Sequence, residues 1–425
     1  MNTCKELLQR LREKDCDGAL RSLYPDVDAA RARAERVTAA FLDAFGDASQ
    51  PALFSGPGRT EIGGNHTDHQ HGHVLCGSVT LDILACAAPN GTHTVRVISE
   101  GYPMVEVSLD DLSDRAEEKN TSAALVRGVA ARIQELGCRL SGFDAYAVSD
   151  VLAGSGLSSS AAYEVLIGNV FNHFFCDDAL DAVTIAKVGQ YAENVYFGKP
   201  CGLMDQMGSS VGGAVAVDFA DPSDPVVERI GYDFSASDHA LCIVDTGSCH
   251  ADLTDDYADI PREMGAVAGQ LGKQHLREVS EAEFRAAIPA LRESCGDRAV
   301  LRAMHYYDDD RRAVLEAEAL KLGEFDRFLS LVNASGISSA LRLQNIWSPS
   351  TPGAQAVSVA LAVGQRLLGG KGAIRVHGGG FAGTVQAFVP DELLDAFKAG
   401  MEAVFGEGKC HVLHIRSRGG CVVTE

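Results

Sequence analysis

Apolar residues recur at helical spacing through the first 46 positions: Leu7, Leu8 and Leu11, then Ala34, Val37, Phe41 and Ala44, with Pro25 between the sets. The spacing predicts two helices over 5–46, and Pro51 to Pro57 closes this lead-in. From Val74 to Val107 the pattern turns strand-like, with β-branched residues in Thr94-Val95-Arg96-Val97-Ile98 and a turn at Pro89-Asn90-Gly91. A helix is expected over Ser122 to Leu136, a strand over Phe143 to Val148, a helix from a glycine- and serine-rich turn at 154–160 through Phe174, and another to about Tyr196. Gly198 to Gly213 reads as loop-rich, Ala214 to Phe219 and Ala240 to Asp245 as strands, and Arg262 to Leu341 as a long helical stretch. The mixture points to an α+β protein. We expect an N-terminal unit over 1–205, extended by helices in 1–40, and a C-terminal unit over 206–425 whose last strand returns to the first.

The 425 residues are enough for two or three cores, and 46% hydrophobic with 22% charged residues is the balance of a folded globular protein. Thirty-seven basic against fifty-eight acidic residues give a formal charge of -21, which opposes binding to nucleic acid or anionic lipid. Met1 to Asp15 lacks an apolar run of signal-peptide length, so a cytoplasmic location is expected. Twelve cysteines without a CxxC pair suggest reduced, mostly buried thiols.

Four segments carry chemistry. Gly58 to Leu75 gathers Arg59, Asn65, His66 and Asp68 between glycines, a dense set of hydrogen-bonding groups for a small polar ligand. Its histidines, His66, His69, His71 and His73, also admit a metal reading, since alternate residues of a strand share a face, but Gly72 loosens that strand. Leu152 to Ala162, containing Gly154-Ser155-Gly156-Leu157-Ser158-Ser159-Ser160-Ala161, lies between strand and helix and can cradle an anion with first-turn N–H groups; an ordinary serine-capped helix is the alternative. It is neither a Walker A loop nor a nucleophile elbow. Ala192 to Gln206 brings Glu193 at a helix end and Asp205 in a glycine-bounded turn, two acids that could divide metal binding and hydroxyl orientation, although a lone helical Glu is more often just solvated. Arg375 to Val385 satisfies GxGxxG, but β-rich Thr384 to Val389 makes it strand-turn-strand and excludes a dinucleotide fingerprint.

Together the four segments resemble the galactokinase branch of the GHMP small-molecule kinase superfamily. The first is similar to its GRxNxIGEHTDY signature, the second to GLSSSAA, the third to CGxMDQ and the fourth to GGGFGG, in register from about Phe41 to Val389. The resemblance implies a two-lobed α+β fold with mixed sheets packed by helices and an active site in the cleft between lobes. It also implies ATP- and Mg²⁺-dependent phosphorylation of the anomeric hydroxyl of a galactose-like sugar. By the same resemblance Arg59 and Asp205 are the catalytic pair, and Gly154 through Ala161 hold the nucleotide. Ser159, with Ser158 beside it, and Glu193 hold the metal, while His66, Asp68, Gly202 and Tyr257 meet the sugar.

The sequence departs from that signature before His66-Thr67-Asp68: the family's glutamate, associated with the sugar's 6-hydroxyl, is Asn65, and His69-Gln70 follow. An amide removes a charge and adds a donor, so Asn65 as a sugar contact would tolerate an altered C6 group. Galactose is the first expectation and galacturonate, or another C6-modified sugar, the alternative. A catalytically inactive sugar sensor is the alternative of another class, opposed by the intact Ser158-Ser159-Ser160-Ala161-Ala162, Arg59 and Asp205.

Overall fold

Two long strands set the layout. In the computed structural model, which describes residues 3–151, 156–199, 201–248 and 253–424, β1 (Ala52–Gly63) pairs antiparallel along its length with β2 (His73–Pro89). The first sheet also takes β3 (Thr94–Ser99), β4 (Val105–Ser108), β5 (Phe143–Ser149), β6 (Ala214–Asp218) and β7 (Val226–Ile230). Because β2 is 17 residues long, its second half pairs with β5 while its first half pairs with β6. The second sheet holds β8 (His239–Asp245), β9 (Ala373–Val376), β10 (Thr384–Pro390) and β11 (Cys410–Leu413) in the order β11-β8-β10-β9. The last strand, β12 (Cys421–Thr424), lies antiparallel on the outer edge of β1 and completes an eight-stranded first sheet.

One face of the first sheet is covered by helices Ser122–Glu135 and Ser159–Phe175, which bury Val126, Val129, Leu166 and Phe171 against Phe54 and Phe143. The other face meets the N-terminal helices Cys4–Arg12, Asp17–Arg21 and Val27–Phe45. Their Leu7, Leu11, Leu20, Val37 and Phe41 pack on Leu53, Leu84, Cys86, Val148 and Val423. Thr3 and Glu6 form a capping box at the first of these helices, and Asp26 caps the third.

Beneath this layer lies a fully buried carboxylate, Asp82. Tyr24 Oη donates to its Oδ2 and Arg33 Nη1 to its Oδ1, both at 2.5 Å, with the Ser55 hydroxyl and Arg416 completing the shell. Burial raises the carboxyl pKa, but Arg33 and Arg416 outweigh it and hold Asp82 below its ordinary value. A buried charge persists only when paired and hydrogen-bonded, and the first 40 residues supply two of the partners, Tyr24 and Arg33, that this charge on β2 requires.

Helices Phe325–Ser338, Ala356–Leu368 and Leu394–Phe405 flank the second sheet, with Ala360, Phe397 and Met401 on Val244, Val376 and Val385. The expected long helical stretch is four helices, the first beginning at Thr254 and containing Pro261. A second correction concerns 198–213, which holds the helix Met204–Val211 rather than loop throughout. Gly208 weakens the helical signal there because its Cα side lies against Arg59: a Cβ at 208 would come within 2.9 Å of the Arg59 Cβ. That glycine lets the helix bearing Asp205 sit directly on the strand bearing Arg59. Among the described residues no helix is long and apolar enough to cross a membrane.

Candidate active site

Arg59 and Glu61 are alternate residues of β1 with no register break between them, so both side chains leave the same face of the sheet. Arg59 is nearly buried and reaches the first turn of Met204–Val211. Its Nε donates to Asp205 Oδ1 at 2.8 Å, its Nη2 lies 2.7 Å from the same oxygen in an ion pair, and its Nη1 donates to the Gly156 carbonyl. The backbone of Arg59 is tied to the same loop, its N–H donating to the Leu157 carbonyl at 3.0 Å. Ser158, in the left-handed region at φ 55°, directs its hydroxyl to Asp205 Oδ2 and precedes the helix Ser159–Phe175. Burial pushes the Asp205 carboxyl up, yet Arg59, the Ser158 hydroxyl and Lys199 prevail, so the group is held below its ordinary value and is ionised near neutrality.

These residues face a cavity of about 1110 Å³ lined also by Asn120, Gly156, Ser159, Ser160, Lys199 and Tyr257. A recess of about 190 Å³ opens from it between Arg59, Glu61, His66, Asp68, Gly202 and Asp205. His66 adopts φ 61°, a strained setting for a non-glycine residue. Its Nε2 donates to the Gly379 carbonyl at 2.9 Å, which leaves Nδ1 as a buried acceptor without a described partner. Burial and the neighbouring His69 push its pKa down to about 3, so the ring is neutral. Asp68 accepts the His69 N–H at 2.9 Å, and its other oxygen lies against Gly202, where a Cβ would collide with it. Tyr257 donates to the Gly380 carbonyl at 2.9 Å and packs its ring on Phe381.

Glu193 lies in the π-helical turn Ala192–Phe197 and is almost completely buried. Its Oε1 accepts from the Ser160 hydroxyl at 3.1 Å and from Lys199 Nζ at 3.2 Å. Gln206 Nε2 bridges Glu193 Oε2 and Glu164 Oε2, each at 2.9 Å, while Glu164 Oε1 is buried without a described partner. Desolvation and the adjacent Glu193 push the Glu164 carboxyl well above its ordinary value. One cation thus faces two acids. Sequence reasoning singled out Ser159; the serine in contact with Glu193 is Ser160, while Ser159 lines the cavity.

The structure brings Arg59, Asp205, His66, Asp68, Gly202, Tyr257, Gly156, Ser158, Ser159 and Ser160 around one cavity. Leu157 and Ala161 are fully buried behind it, and Gly154 and Ser155 lie outside the described residues, as does His250 upstream of Tyr257. Asn65, expected to touch the sugar, is not among the described lining residues and has no exposed surface. Its Nδ2 donates to Glu61 Oε1 at 3.0 Å and to the Gly378 carbonyl at 2.7 Å, and its Oδ1 accepts from Asn345 and Ser339 at 2.9 and 3.2 Å. The amide is a bolt between β1 and the 378–380 turn. The histidines diverge: His71 stacks on His275 with ring centroids 3.7 Å apart, and His73 contacts Asp310 and Asp218. Among the described residues no group of three or more His, Cys, Asp or Glu side chains is placed to hold a metal.

Residues 124–213 match the N-terminal domain of the GHMP kinases, and residues 39–89 match the galactokinase galactose-binding signature. The fold is similar to that of Lactococcus lactis galactokinase, solved in complex with galactose, at a TM-score of 0.77 and 24% identity over 91% of this chain and 99% of that one. Methanococcus jannaschii mevalonate kinase is similar at a TM-score of 0.61 and 13% identity, covering 86% and 99% of the two chains. L. major mevalonate kinase, in complex with R-mevalonate, follows at 0.57 and 15%, covering 86% and 96%. The fold is similar to that of the GHMP kinases, and with the two matched segments it supports a sugar-kinase phosphotransferase. Among these kinases the likeness is to galactokinase, whose galactose-binding signature is matched by the segment that includes the strand of Arg59.

Proposed function

We propose that the protein transfers the γ-phosphate of ATP to the anomeric hydroxyl of galactose, giving galactose 1-phosphate and ADP. The observation that carries this reading is the convergence of Arg59, Asp205 and Ser158, where a recess lined by His66, Asp68 and Gly202 meets the N-terminal end of helix Ser159–Phe175.

A phosphoryl transfer needs an in-line hydroxyl, neutralised phosphate oxygens and a site for the proton. The first-turn N–H groups of the 159–175 helix and the Gly156 loop suit the nucleotide phosphates. Asp205, kept ionised, orients the sugar hydroxyl and accepts its proton as the oxygen bonds to phosphorus and the bond from phosphorus to the bridging oxygen of ADP breaks. Arg59 offsets charge on the transferring group. The Glu193 carboxylate beside the serine hydroxyls offers hard oxygen donors of the kind a divalent ion would take. Ser159 and Glu193 are the proposed holders of Mg²⁺, which when bound would neutralise phosphate charge.

Asn65 bears on the choice of sugar. Because its amide is spent on four protein partners, exchanging the family's glutamate for it puts no new donor into the recess, which favours galactose over galacturonate. The test is ADP release by the purified protein with ATP and each sugar, with the product identified by ³¹P NMR. A higher kcat/KM for galacturonate, or sugar binding without ADP release, would overturn the reading.

A further inference from the structure

Relative to the GRxNxIGEHTDY signature, this chain has exchanged two residue types: the acid stands at position 61 and the amide at 65, and the two side chains touch. The exchange leaves a carboxylate on the recess wall, since Glu61 lines it together with His66, Asp68 and Asp205. We infer that Glu61 is the specificity residue of this site, accepting a hydroxyl of an uncharged hexose and excluding the corresponding uronic acid. The inference rests on the sugar-kinase reading above and deepens it.

The geometry commits half of the Glu61 carboxylate to the protein. Oε1 accepts from Asn65 Nδ2 at 3.0 Å and from Arg375, whose guanidinium is fully buried and whose other N–H groups go to the carbonyls of Ile62, at 2.6 Å, and Val376, at 3.0 Å. Arg375 is therefore occupied behind Glu61 and is not among the described residues lining the recess. No described residue donates to Oε2, which is the oxygen left to a ligand. A carboxylate with one oxygen clamped and the other open is a fixed acceptor for a substrate O–H.

The surrounding charges argue against an anionic sugar. Glu61, Asp68 and Asp205 line the recess, and its two strong cations are engaged, Arg59 by Asp205 and Lys199 by Glu193. His66 presents a neutral ring whose Nδ1 can only accept. A uronate carboxylate would enter beside the like charges of Glu61, Asp68 and Asp205, whereas a hydroxyl can donate to Glu61.

The test compares kcat/KM for galactose and galacturonate, at saturating ATP, in the wild type, Glu61→Gln and Glu61→Asp. Glu61→Gln is expected to lower kcat/KM for galactose about tenfold to a hundredfold and to shrink the galactose-to-galacturonate ratio at least about tenfold, with the KM for ATP unchanged. Glu61→Asp keeps the charge that Arg375 balances; it is expected to raise the galactose KM while still rejecting galacturonate. A folded Glu61→Gln with an unaltered ratio would overturn the role of Glu61 while leaving the galactose reading intact. Should Glu61→Gln not fold, a wild-type galactose KM in Glu61→Asp overturns it instead. A wild type that phosphorylates another neutral hexose but not galactose overturns only the galactose reading, and the ratio is then read on that hexose and its uronate. A wild type that prefers galacturonate overturns both.

Discussion

Arg59 puts two guanidinium nitrogens on a single oxygen of Asp205, Nε at 2.8 Å and Nη2 at 2.7 Å, so that the second oxygen is left to the Ser158 hydroxyl. The strand, the Met204–Val211 helix and the glycine-serine loop are thereby locked at one carboxylate. If both residues act on the transition state, Arg59→Ala and Asp205→Asn should each lower kcat by about 10² to 10⁴. Because they act as a unit, the double variant should lose far less than the product of the two single losses, a result read from single-turnover rates. Full additivity would show that they act separately.

Gly202 offers a steric probe. Its Cβ would enter the space of the Asp68 carboxylate, so Gly202→Ala should displace Asp68 and raise the sugar KM about tenfold or more, with the ATP KM little changed. Steady-state kinetics with each substrate varied in turn would reveal an equal rise in both constants, which would place the damage elsewhere.

His66 should leave a mark on stability. Its pKa falls from 6.5 to about 3 in the folded protein, so between those values the unfolded chain binds the extra proton and stability declines as the pH drops. His66→Gln, whose amide can still reach the Gly379 carbonyl, removes this contribution, on the order of a few kcal/mol at the acid end. The wild type should therefore lose more thermal stability than the variant as the pH falls from 6.5 toward 3. Parallel curves would refute the assignment.

The N-terminal helices make a prediction of a different kind. Arg33→Ala strips Asp82 of one of its two guanidinium partners and should cost about 3 kcal/mol in denaturant unfolding, as expected for a buried ion pair broken on one side. The KM values for sugar and ATP should stay near wild type, since Arg33 lines neither cavity among the described residues.

Much of the architecture is legible in periodicity: the helix at Ser122–Glu135, the strand at Phe143–Ser149 and the strand-turn-strand around 378–380 follow from spacing and turn residues. The Met204–Val211 helix is not, because a glycine needed for its approach to Arg59 and two serines mute its propensity. The Asp82 cluster draws on Tyr24, Arg33, Ser55 and Arg416, whose union depends on topology alone. At the site, the four glycine-bounded runs are visible, but which of Ser159 and Ser160 meets Glu193 depends on the rotation of one helical residue. Asn65 shows the limit most clearly: a polar residue inside a binding motif can face the protein, and its neighbour Glu61, two positions from Arg59, is the one the strand alternation points toward the ligand.

The edge pairing of β1 with β12 ties Leu53 to Thr424, a contact between opposite ends of the sequence. During synthesis the strand that carries Arg59 must wait for that far segment before its outer hydrogen bonds can form. Assembly of the site should thus be a late event in folding, and nascent chains lacking 421–424 should expose an open sheet edge that invites chaperone binding.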